Sequence, residues 1–227
     1  MTRPTVGHLC LLSCLLVSCA HTQAQGVSGD VKNFVTQYVA AFNAKDMRQL
    51  NALLHPKSLA CVTPENKNYY DEAMAVHLRD PIPANYTFTV SPVNQSNMKS
   101  MESMWRFPVP PTGQLQIEYQ QGEDSGIVLV YLVQENGRWL QDDPCATEQT
   151  LKEFREDAAA RKQRIAEHKA MAAAIKEPLR SELIGLLREH NTSTATKRYQ
   201  EATGKDYETS MFVIYELESE ARQASSP

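Results

Sequence analysis

Few side chains in this chain combine a reactive type with a useful spacing. His55 stands directly before Pro56 and reads as a helix-end residue. His77 and Asp71 lie six positions apart on one helical stretch and share a face only loosely, a poor dyad for proton transfer. Asp142 and Asp143 sit next to Pro144 and Cys145 at a strand end, where paired carboxylates usually stay solvated. Glu118 alternates with Ile117 and Tyr119 and faces away from both. No phosphate-binding glycine loop, Ser/His/Asp signature or zinc-ligand spacing occurs. The expectation is therefore no catalytic residue, no metal and no cofactor.

The five cysteines divide into two groups. Arg3 supplies a positive start and Leu9 to Val17 an apolar run too short to span a bilayer, which together read as an export signal. Leu16-Val17-Ser18-Cys19 resembles a bacterial lipobox, so Cys19 is the expected lipidation site. Ala20 after it implies the outer membrane in a Gram-negative cell. Cleavage after Ala24, or at the box ending in Cys14, are the competing readings. Export leaves Cys61 and Cys145, and an even pair in an oxidising compartment suggests a disulfide. Two buried free thiols are the alternative.

The elements that position these groups follow from periodicity. Phe34, Val35, Tyr38, Val39 and Phe42 recur at spacings of three and four, an amphipathic helix. Asp46 can cap a second helix carrying Met47, Leu50, Leu53 and Leu54 inward and stopping before Pro56. A short strand around Leu59 to Val62 and a helix over 66–78 come next. The period then changes to two, giving strands over 86–91, 104–109, 115–119 and 127–133, with Glu135-Asn136-Gly137-Arg138 as a tight turn into Trp139. The apolar run 127–133 reads as the central strand, and Pro108, Pro110 and Pro111 hold 104–109 to an edge. From Glu148 the chain is helical and charged, with Asp157 and Arg161 as an i,i+4 pair. Pro178 opens a further helix with Leu179, Leu183, Leu186 and Leu187 inward. Helices followed by an antiparallel sheet define an α+β fold with an all-helical tail.

Tyr-Val-Ala-Ala-Phe-Asn from Tyr38, with the spacing to Leu53-Leu54-His55-Pro56, resembles the nuclear transport factor 2-like (SnoaL-like, ketosteroid-isomerase-like) superfamily over about residues 30–145. The resemblance implies N-terminal helices on a curved sheet, a cone enclosing a pocket. It implies an oxyanion-donating role for Tyr38 in the isomerases, although the general base expected near Val62-Thr63 is absent. It also implies lining residues Tyr38, Phe42, Tyr70, Phe88, Trp105 and Trp139, and dimerisation through the open sheet face. Thr196-Lys197-Arg198-Tyr199, followed by Ala202-Thr203-Gly204-Lys205, resembles the helical hairpin of the ribosomal stalk protein's C-terminal domain, a scaffold for protein contact.

The expected organisation is a signal over 1–18, a tether over 19–29, the cone domain over 30–146, a charged helix over 147–177 and a helical hairpin over 178–221. A net charge of -4 and a pI near 5.9 provide no basic footprint for nucleic acid. The expected function is a lipid-anchored envelope protein facing the periplasm, a non-enzymatic scaffold with membrane and envelope-protein partners. An apolar-ligand binder is the alternative, and a Tyr38-dependent isomerase or dehydratase the next.

Overall fold

Seven positions between Val31 and Phe42 are almost wholly buried, because the apolar stripe of the first helix has nowhere else to face. That helix, α1 (Gly29–Asn43), opens the computed structural model, which describes residues 29–224. The expected signal over 1–18, Cys19 and all but the last residue of the expected tether lie outside the described residues. Asp46 then accepts from the Gln49 N–H and caps α2 (Met47–Leu53).

Where the sequence suggests a strand at Leu59 to Val62, a one-turn helix, α3 (Pro56–Leu59), ends and the chain continues as a turn and irregular backbone. Pro56 is preorganised for a first helical turn, and the His55 ring nitrogen accepts from the Lys57 N–H. Met47, expected inward, is 41 % exposed, since a helix of two turns buries only Leu50 and Leu53. Next come α4 (Lys67–His77), β1 (Thr87–Ser91) and α5 (Gln95–Met101), the last without a counterpart in the sequence reading. Only β2 (Trp105–Arg106) survives of the strand expected over 104–109, because the prolines after it supply no N–H groups to a ladder.

β3 (Gly113–Gln121), β4 (Asp124–Glu135) and β5 (Arg138–Gln141) complete an antiparallel sheet in the order β1-β3-β4-β5. β2 pairs separately with β6 (Cys145–Ala146). Asn136 and Gly137 take positive φ in the turn between β4 and β5, as that tight hairpin demands. One sheet face packs Leu115, Ile117, Val128, Val130 and Leu132 on α1 and α2. The apolar run of β4 is internal to the sheet yet open on its other face, with Ile127 63 % and Leu129 48 % exposed.

The tail breaks at Asp157 into α6 (Glu148–Glu156) and α7 (Ala158–Ala173), where one continuous helix was expected. α8 (Leu179–Arg188), α9 (Thr192–Thr203) and α10 (Tyr207–Ala224) follow, and Gly204 ends α9 in left-handed geometry. Ala172, Leu183, Leu187, Ala195, Tyr199, Val213, Ile214 and Leu217 form a second core, separate from the first. The fold is α+β with helices at both ends of the chain.

The two cores meet at a hairpin tip, and also where Arg161 pairs with Glu72 and Arg79 stacks on Tyr215. The Asp124 carboxylate accepts from the Thr192 N–H at 3.0 Å and caps α9, whose own N-cap residue makes no side-chain cap bond. Thr194 donates to Glu123, and the Asp124 N–H to the His190 carbonyl. Gly122, at φ +61°, lies so close to this helix that a Cβ there would stand 2.3 Å from the Glu189 carbonyl oxygen.

Candidate functional site

The groups that could move a proton converge between α1, α4 and the end of β5. Tyr38 is 1 % exposed and held by an i,i+4 ladder of rings, with Phe34 at 6.1 Å and Phe42 at 5.8 Å. His77, in the last turn of α4, meets Phe42 edge-on and shares a hydrogen bond of 3.0 Å between its Nε2 and the Tyr38 hydroxyl. Asp71, its suggested partner, is instead engaged by Lys67.

Asp142 and Asp143 are not the solvated loop pair that their composition suggests. The His55 N–H donates to the Gln141 carbonyl, the Ser58 hydroxyl donates to Asp142 at 2.7 Å, and the Cys61 and Cys145 sulfurs are bonded with Cα atoms 5.5 Å apart. These ties pull the whole segment 141–145 inward. Asp142 is fully buried, and its Oδ2 has no hydrogen-bond partner among the described residues. The Gln141 amide donates to Asp143 at 2.7 Å. Asp143 thus provides an inward carboxylate beside Tyr38, which the sequence reading holds to be missing.

Burial sets the titration of this cluster. It raises the Asp143 carboxyl, with the Gln141 amide and the nearby His77 ring opposing. Burial raises Asp142 too, against the Ser58 bond and the charge of His55. The Tyr38 phenol is raised by burial and then by Asp143. His77 keeps an exposed outer edge, while burial of its inner face lowers its pKa against the pull of Asp143. Burial thus favours the uncharged form of each of these groups, with the Tyr38 phenol able to donate and the neutral His77 imidazole able to accept.

A prediction about pH follows from these directions. An unfolded aspartate titrates near about 3.9. Because the native Asp143 titrates higher, the native state holds the extra proton between the two values, and stability falls as pH rises through that window. His77 has the opposite sign, its contribution falling as pH drops from about 6.5 through its lowered native value. Asp143→Asn removes the first penalty, still accepts from Gln141, and should stabilise the protein at pH 7 by about 1 kcal/mol. Thermal unfolding from pH 4 to 8 reads this as a higher Tm near neutrality; a lower Tm for the variant would refute it.

The space beside this cluster is small. Tyr38, Leu50, Met74, His77, Gln141 and Asp143 surround a cavity of about 10 Å³, room for about one water molecule. The other residues expected to line a pocket are dispersed. Phe42 is core, and Phe88 and Trp139 pack at its margin. Tyr70 accepts from the Ala146 N–H, and Trp105 donates to Tyr69, both at the small β2–β6 sheet. Arg198, on the helix compared with the stalk module, pairs with Glu182.

A second and larger space lies between the sheet and the helical tail. This cleft of about 460 Å³ is walled by Arg79, Tyr119 and Glu123 on one side and by Tyr207, Tyr215 and Glu218 of α10 on the other. The Arg79 guanidinium sits 3.9 Å over the Tyr215 ring and pairs with Asp80 at 3.1 Å. Neither the cleft nor the Asp143 cluster has a local sequence signal, since each joins residues far apart in the chain. No family model, curated protein or solved structure matches the chain. The fold and the two sites define an α+β protein with a tightly packed Tyr38–His77–Asp143 cluster and an open inter-unit cleft.

Proposed function

We propose that the chain is an exported, lipid-anchored envelope protein that works by protein contact, with Cys19 carrying the anchor. One observation carries the reading: among the described residues, side chains of the α+β body close around Tyr38 and leave about 10 Å³ beside it. A small-molecule site needs several hundred Å³, so an apolar ligand inside the body is disfavoured. The bonded Cys61 and Cys145 suit an oxidising compartment. The nuclear transport factor 2-like resemblance supplies the platform in this reading, and the C-terminal helices present the surface for an envelope partner. A homodimer would use the open sheet face, where Ile127 and Leu129 are exposed.

The deciding experiment is the intact mass of the protein from its own membrane fraction, then chemical crosslinking in that fraction. A chain starting at Cys19 with added acyl mass and crosslinked to a second envelope protein is expected. A chain starting at Gln25 without lipid, recovered uncrosslinked, would end the reading.

A second reading has one specific observation behind it, the placement of Asp143 beside Tyr38 and His77. Those groups could perform acid–base chemistry of the isomerase or dehydratase type once the cavity opened. Turnover of an unsaturated ketone by the native chain, lost in Tyr38→Phe, would put this reading first.

A further inference from the structure

The cleft between the sheet and the helical tail offers what the interior lacks. Its volume of about 460 Å³ falls in the range of binding sites, and it lies between two separately cored units, where such sites concentrate. Its walls carry the carboxylates of Glu123 and Asp124 beside the Arg79–Asp80 pair. The Arg79 guanidinium is already engaged by Asp80 and by the face of Tyr215. Asp124 faces the N-terminus of α9, and Glu123 accepts from the neutral Thr194 hydroxyl, which leaves the Glu123 charge uncompensated in that bond.

Aromatic surface lies beside this charge. Tyr119 runs across Gly126 on the facing strand, so closely that a Cβ there would fall 2.1 Å from its ring. The glycine therefore fixes the direction in which Tyr119 enters the cleft. Tyr207, in the first turn of α10, is 59 % exposed at the cleft wall, so its ring face is open to a ligand entering there. A desolvated cation finds both a carboxylate and a ring face in such a place.

We infer that this cleft receives a lysine or arginine side chain from an extended basic segment of a partner polypeptide. The inference rests on the contact reading above and names the chemistry of the partner. A peptide source is favoured over a free amine because the cleft is larger than one basic side chain, and Ser125, Ser193 and Gln121 line it with groups suited to peptide N–H and carbonyl.

The test is calorimetric titration of the full chain at low salt with acetyl-Lys-Gly-Lys-amide, with acetyl-Glu-Gly-Glu-amide and spermidine as comparisons. The basic peptide should bind and the acidic one should not. Tyr207→Ala should weaken binding about fivefold and Glu123→Gln about threefold. Tyr207 is exposed, and the glutamine amide oxygen at 123 still accepts from Thr194, so neither variant threatens the fold. Absence of peptide binding, or equal binding by both variants, overturns the inference, and spermidine binding as tightly as the peptide overturns its peptide source. Crosslinking of the same variants in membranes separates the two claims. A partner retained by Glu123→Gln and Tyr207→Ala sinks the cleft and leaves the contact reading standing, whereas loss of crosslinking in both supports the cleft.

Discussion

Gly122→Ala should uncouple the helical tail from the sheet. Two effects add at this position. The φ of +61° is left-handed geometry, which costs a residue with a Cβ about 1–2 kcal/mol. The new methyl would also stand 2.3 Å from the Glu189 carbonyl oxygen and 2.8 Å from that of His190, both backbone atoms that cannot turn aside. Relief requires the hairpin to lift from α9. That would break the Asp124 cap, the Thr194 to Glu123 bond and the bond from the Asp124 N–H to His190. The total loss should exceed about 3 kcal/mol.

Gly137→Ala is the matched control. Its φ is +77°, yet a Cβ there meets nothing within 4 Å, so only the conformational cost of about 1–2 kcal/mol applies. Calorimetric unfolding should show one transition for the native chain and for Gly137→Ala, and two for Gly122→Ala. Limited proteolysis should then cut Gly122→Ala first between α8 and α9. Similar behaviour of the two variants would mean that the hairpin tip does not hold the tail.

Removal of the disulfide is the second large effect. Cys61 and Cys145 are 84 positions apart, and closing a loop of that length restricts the unfolded chain by about 4 kcal/mol. The paired change Cys61→Ser with Cys145→Ser should lower the denaturant midpoint accordingly. The bond also has a local consequence. It holds the segment bearing Asp142 and Asp143 against α3, together with the Ser58 hydroxyl and the His55 N–H. In its absence Asp143 should gain water, and its native pKa should fall toward the ordinary carboxylate range. The Asp143→Asn stabilisation at pH 7 should then shrink, which ties the two measurements together. An unchanged midpoint after the double substitution would show that the sulfurs are not bridged in the protein.

The stripe from Phe34 to Phe42, the Asp46 cap, the Asn136-Gly137 turn and the Gly204 helix end were legible because each depends on residues within a few positions. The 59–62 stretch is not a strand because Pro56 starts a helical turn just before it, and the 104–109 strand stops at Arg106 because Pro108, Pro110 and Pro111 supply no N–H groups. Helix α5 gives little apolar periodicity, and the break at Asp157 interrupts a run of good helix formers.

Local sequence is enough for the α1 stripe, the Asp46 and Gly204 helix ends, the Asn136-Gly137 turn and the α+β class. The tertiary structure alone decided the sites. Tyr38 meets His77 across 39 positions, Ser58 meets Asp142 across 84 and Asp124 caps Thr192 across 68. Backbone hydrogen bonding and side-chain period are set by near neighbours, so one sequence window contains them. Burial of a carboxylate, or the width of a cleft, depends on which distant surfaces close over it, and that is fixed only when the whole chain packs.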